Sequence, residues 1–139
     1  MVMTLHIPEA MYEEMVQHAQ AELPNECVGM LIGKSDGTVA EYLPLVNELK
    51  SPTRFLTEPY SMLRAEKRCR ELKLEVLAIF HSHPTSEPVP SKYDVADHYS
   101  STVMSLILTM IDNPTPLQGW WIENGMFQRA EVRIGQATT

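Results

Sequence analysis

The stretch EVLAIFHSHPTSEPVPSKYD, residues 75–94, decides how this chain is read. Its opening run is apolar apart from Glu75, which suits a strand inside a sheet with both faces covered. A strand places side chains i and i+2 on one face. If it runs on through Ser82, His81 and His83 therefore project together from its end. Two imidazoles on one face can share an ion with no distortion of the backbone. Ser82 faces the other way and supports such a pair from behind. The proline-rich HPTSEPVPS cannot be regular and reads as a loop. A short helix follows over residues 91–100. Ser91-x-x-Asp94 is a capping-box pattern there, with Ser91 satisfying an orphan amide and Asp94 favouring the positive helix end. A compact loop that returns at a helix start also carries Asp94 back toward the strand end. His81, His83 and Asp94 then offer two nitrogens and one oxygen with a fourth position open, as in catalytic rather than structural zinc sites. The same ligand types also permit Fe(II) and an oxygenase.

Outward from this stretch the chain alternates strand and helix patterns. MTLHI reads as a short first strand, with Pro8 suited to the first position of the next element. From Ala10 to Leu23, the residues Met11, Met15, Ala19 and Leu23 recur at helical spacing, and Pro24 ends the run. CVGMLIG is a buried strand, TVAEYLPLVN a second after the Ser35–Gly37 turn, and RFLTE a third. Residues 58–74 read as an amphipathic helix with Pro59 in its first turn. Downstream, SLILTMI is another buried strand, and QGWWIE with FQRAEVRI forms a closing hairpin around Asn124 and Gly125. The stretch GWWIENGMF suits the core better than a dimer face. The expected class is α/β (α+β): one domain over residues 1–139, a mixed central sheet flanked by two to three helices.

Composition narrows the function. In 139 residues, 44% are hydrophobic, enough for a core that needs no disulfide or structural metal to fold. The formal net charge of −7, with no Lys/Arg cluster, argues against a nucleic-acid partner. No segment approaches the ~20 apolar residues of a membrane span, and the start lacks the features of a signal peptide. A soluble cytoplasmic protein is the expectation. Cys27 and Cys69 lack zinc-motif spacing and read as two reduced thiols. His6, His18 and His98 read as ordinary polar residues, although His98 falls four positions after Asp94.

If the open position holds a water that hydrolyses an amide, a further group must move a proton from that water to the leaving amine. Two acids stand near enough in sequence logic. Glu87 lies in the loop beside the histidines, between prolines and exposed to solvent. Glu26 directly precedes CVGMLIG, where desolvation at the edge of a buried strand raises a carboxyl pKa. Ending a strand in water is the ordinary alternative for Glu26. Cys27 as a nucleophile is a poor rival, because nothing visible lowers its pKa.

HSHPTSEPVPSKYD resembles the metal signature of the JAMM (MPN+) metalloproteases: His-Ser-His, seven residues, Ser, two residues, Asp. The order of strands and helices along nearly the whole chain is also similar to an MPN domain. The resemblance implies that His81, His83 and Asp94 bind one zinc ion and that Ser91 helps stabilise the oxyanion. It also selects the base. The family carries its catalytic glutamate in a Pro-x-Glu-x-Cys-Gly segment, and PNECVG matches at Pro24, Glu26 and Gly29. The cysteine stands one position early, with Val28 in its usual place. Similar enzymes cut the amide bond after the C-terminal Gly-Gly of a ubiquitin-like protein, whose extended tail can pair with a strand edge. The short chain is similar to the compact prokaryotic type, which implies a ubiquitin-like or sulfur-carrier partner and release of cysteine or another amine. A non-catalytic module that binds such a partner is the competing expectation. Zinc deamination is disfavoured, since its H-x-E and P-C-x-x-C elements are absent.

Overall fold

A computed structural model describes residues 3–135. The elements run β1 (Leu5–Ile7), α1 (Glu9–Glu22), β2 (Val28–Gly33), β3 (Val39–Leu45), α2 (Pro59–Glu71), β4 (Glu75–His83), α3 (Lys92–Ala96), β5 (Met104–Thr109), β6 (Leu117–Glu123), β7 (Met126–Ala130) and β8 (Val132–Ile134). Six strands form one mixed sheet in the order β3-β2-β4-β5-β6-β7, in which β4 and β5 are parallel and the other pairs antiparallel. This is the α+β class expected from the sequence, with three helices.

The apolar run of β4 lies in the interior of that sheet, between β2 and β5, and its residues are buried from Leu77 to His83. Its two faces serve two cores. Ala78 and Phe80 join Met15 and Ala19 of α1, whereas Ile79 joins Ala65 and Cys69 of α2. Phe80 is fully buried, which removes enough apolar surface from water to stabilise the fold by about 1.5–3 kcal/mol. The β2–β4 register shifts between Leu31 and Ile32, absorbing Leu77 as an irregularity. From Ala78 onward the alternation is strict. His81 and His83 therefore fall on the α2 face, and Ser82 on the α1 face with Phe80.

Helix α2 starts where Glu58 caps it, its carboxylate accepting from the Tyr60 N–H (2.7 Å) and the Ser61 N–H (2.9 Å), with Pro59 at the first position. The β6–β7 hairpin turns on Asn124 and Gly125, as expected. Trp120 and Ile122 enter the core, while Met126 and Phe127 on β7 are exposed. Cys27 and Cys69 are free and buried, one in each core. No helix among the described residues is long and apolar enough to cross a membrane.

Three expectations need correction. RFLTE forms no strand; it retains one isolated bridge, Thr57 to Asn47, because the Asn47 side chain takes up the loop's amides instead. FQRAEVRI is two strands rather than one. The chain breaks at Glu131, and β8 leaves the sheet to pair in parallel with β1. Val132 packs there over Gly119, in space that any side chain on residue 119 would occupy. Lastly, the helix expected over 91–100 is only Lys92–Ala96, so His98 lies outside it.

Candidate metal centre and proton carrier

The end of β4 presents His81 and His83 together, buried at 2% and 3% exposure. Asp94 reaches them because the loop after β4 is fastened down onto the sheet. Trp120 Nε1 donates to the Pro88 carbonyl (2.9 Å), and Thr109 Oγ1 donates to the Ser86 carbonyl (2.6 Å). Val95 of α3 then packs against Ile107, Trp120 and Ile122. Ile107 stands beside His81 in the β4–β5 register, which sets α3 next to the histidines.

His81 Nε2 lies 3.2 Å from His83 Nε2 and 3.2 Å from Asp94 Oδ2, and His83 Nε2 lies 3.1 Å from the same oxygen. The three atoms thus form a nearly equilateral triangle. Donors bound at about 2.0–2.1 Å in a tetrahedral shell stand about 3.3 Å apart, so the triangle is the size of one face of such a shell. The ligand chemistry agrees. The His83 Nδ1–H donates to the Glu87 carbonyl (2.7 Å), which leaves the Nε2 lone pair for a cation. Burial lowers the His81 pKa and favours its neutral form. Burial also opposes the charge on His83, but its hydrogen bonds to Asp94 and Glu87 outweigh this and raise its pKa. Burial acts against the Asp94 carboxylate too, yet the two imidazoles and the Ser91 N–H hold its pKa well below the usual range.

The capping-box and ligand readings of Ser91 and Asp94 describe one arrangement. Ser91 Oγ accepts from the Asp94 N–H (3.1 Å), while Asp94 Oδ2 accepts from the Ser91 N–H (2.8 Å) and faces both histidines. The helix cap is what aims the carboxylate. It uses Ser91 Oγ as an acceptor only.

Glu26 is buried at 2% exposure, and its Oε1 has no hydrogen-bond partner. Burial pushes its pKa up to about 8, with His83 pulling it down and Asp94 adding to the rise. Two members of the triangle thus act on this carboxyl. A buried carboxyl in the neutral range with a free acceptor oxygen is suited to receive and return a proton. Ser82 brings Glu26 here from behind: its Oγ accepts from the Cys27 N–H (2.8 Å), and its own N–H donates to the Cys27 carbonyl (3.2 Å). The Cys27 thiol is pushed up to about 11, chiefly by burial, which removes it as a nucleophile.

Glu87 contributes its carbonyl rather than its carboxylate, which is exposed and accepts from Asn113 Nδ2 (2.8 Å). His98 donates Nδ1–H to the Val95 carbonyl (3.0 Å) and takes no part in the triangle. Two residues had no signal in the sequence. Phe55 stacks on the His81 ring at 4.6 Å between centroids and 32° between planes. Asn47 is 4% exposed, and its side chain donates to the Glu26 carbonyl at 3.0 Å. Both sit in the loop where a strand was expected.

The chain is similar to known proteins. A Thermus thermophilus protein named a probable TtuB-protein conjugate cleaving protease is 35% identical over 96 residues, which span 68% of this chain and 64% of that relative. The desampylase of Pyrococcus furiosus is 34% identical over 131 residues, 94% of this chain and 89% of that protein. In fold, the chain is similar to a JAB1/MPN domain protein from Archaeoglobus fulgidus, with a TM-score of 0.61 over 96% of this chain and all of that one, at 16% identity. The resemblance seen in HSHPTSEPVPSKYD extends to most of the sequence. Residues 8–123 match the family of prokaryotic homologs of the JAB domain, and the chain belongs to that family.

Proposed function

We propose that this chain is a zinc-dependent peptidase that hydrolyses the amide bond after the C-terminal Gly-Gly of a ubiquitin-like or sulfur-carrier protein, releasing cysteine or another amine. The observation that carries this is the triangle of His81, His83 and Asp94 donor atoms together with the buried, unpartnered Oε1 of Glu26, a carboxyl that feels the charges of His83 and Asp94. The name of the Thermus relative, a protease that cleaves a protein conjugate, supports the substrate class.

His81 Nε2, His83 Nε2 and Asp94 Oδ2 would hold the ion. A zinc ion bound there lowers the pKa of water and polarises a carbonyl. Glu26 takes the proton from the attacking water on its free Oε1 and hands it to the nitrogen of the departing amine. Ser91 donates its hydroxyl proton to the carbonyl oxygen as negative charge develops there. The cap bond from the Asp94 N–H holds Ser91 Oγ in place for this. The Glu87 carbonyl and the Phe55 ring fix the two imidazole planes.

The test is bound metal and cleavage of a ubiquitin-like carrier whose C-terminal Gly-Gly is amide-linked to cysteine, for wild type, His83→Ala and Glu26→Gln. His83→Ala is expected to lose the metal. Glu26→Gln is expected to keep it and lose turnover. Stoichiometric iron without zinc-dependent cleavage would overturn the assignment.

A further inference from the structure

We propose that Asn47 is a positioning residue for Glu26, tying the proton carrier to the loop that walls the metal site; this rests on the role given to Glu26 above. Glu26 Oε1 has no partner, so the placement of this carboxyl leans on its backbone. Glu26 precedes β2, outside the sheet ladder. Its N–H donates to the Ser51 carbonyl (2.8 Å), and its carbonyl accepts from Asn47 Nδ2 (3.0 Å). Both main-chain groups of the proton carrier therefore end on residues 47–51.

Asn47 satisfies its whole amide in doing this. Nδ2 also donates to the Arg54 carbonyl (3.2 Å), and Oδ1 accepts from the Leu49 and Leu56 N–H groups (3.1 Å each). A buried amide with all four hydrogen bonds made holds one geometry. The same loop sets Phe55 against His81. One side chain thus fastens the carrier and the wall of a ligand histidine to a common support. Displacement of a reacting group by about 1 Å can cost about a hundredfold in rate, which is the leverage such a support has.

The two halves of the amide can be separated. Oδ1 makes two of the three loop bonds, and Nδ2 makes the Glu26 tether and the third, to Arg54, whose loss the Ser61 control gauges. Asn47→Asp keeps the acceptor and loses the tether. Ser61 provides the control: its Oγ accepts from the Val46 N–H (3.2 Å) and donates to the Glu58 carbonyl (2.9 Å), bracing the same loop without touching Glu26.

Bound zinc, kcat and KM on the cysteine-linked carrier, and hydrogen exchange of the Glu26 amide are measured for wild type, N47D, S61A and E26Q. N47D is expected to keep its zinc and a KM within threefold, to lose ten- to hundredfold in kcat, and to exchange the Glu26 amide at least tenfold faster. S61A is expected to lose stability with kcat unchanged. Full turnover in N47D while E26Q is inactive overturns the positioning role alone. Full turnover in E26Q, or no cleavage by wild type, overturns the role of Glu26 and this proposal with it. If N47D fails to fold, Asn47→Ser, which buries no charge, is read by the same criteria. Failure of both to fold, or equal kcat losses in N47D and S61A, makes Asn47 a loop brace only.

Discussion

Replacing Glu26 with Gln should make the metal-free protein more stable at neutral pH, by an amount that depends on pH. The folded chain holds the Glu26 pKa at about 8, against an ordinary value of 4.5. Because the folded value is the higher one, the associated stability is fully present below about 4.5 and is lost as pH rises through about 8. At pH 7 the unfolded chain gains about 3 kcal/mol by ionising this carboxyl, at about 1.4 kcal/mol per pH unit; at pH 5 the gain is about 1 kcal/mol or less. Gln does not ionise, so the difference between E26Q and wild type should grow by about 2.5 kcal/mol from pH 5 to pH 7. Any fixed offset from swapping carboxyl for amide cancels in that change, and the attraction between His83 and the Glu26 carboxylate is a smaller opposing effect than the burial that raises the Glu26 pKa. Urea unfolding after chelation measures it. With a slope of about 1–3 kcal/mol per molar for a small domain, the midpoint difference should widen by about 1 M or more. Adding zinc should narrow the gap, because a nearby cation favours the carboxylate. Parallel stability curves for the two proteins from pH 5 to 8 would refute the desolvation of Glu26 and, with it, the physical basis for its proton transfer.

Ser91→Ala should lower stability by about 1 kcal/mol through the lost helix cap and lower kcat by about 10²–10³ through the lost hydroxyl donor; Ser91→Thr should recover both, read by thermal unfolding and steady-state kinetics. Cys27→Ala should keep zinc and turnover, and native Cys27 should resist alkylation by iodoacetamide, since its thiol is buried with a pKa near 11. Gly29→Ala should destabilise by about 1–3 kcal/mol, because its methyl would overlap the Tyr42 ring, and Tyr42 is held by His18 Nδ1 at 2.6 Å; an unchanged unfolding midpoint would show that the ring can move aside.

The parts of the site legible in the sequence are those governed by local periodicity. His81 and His83 share a face because a strand repeats every two residues. Ser91 and Asp94 meet because a capping box spans three. The apolar run of residues 76–80 marks an interior strand by itself. Glu26 was different: its position before a buried strand suggested desolvation, but only the family resemblance singled it out, and only the fold shows the burial that moves its pKa. Asn47 and Phe55 were invisible for the same reason. A strand-like stretch in sequence became a loop because one amide side chain took up the hydrogen bonds that a ladder would have used. The departure of β8 from the sheet to join β1 is likewise a contact between the two ends of the described chain. The sequence alone determined which side chains leave a strand or helix together. Burial, the unpartnered oxygen of Glu26 and the loop that holds it were decided by tertiary structure, because each depends on residues far apart in the chain being packed against one another.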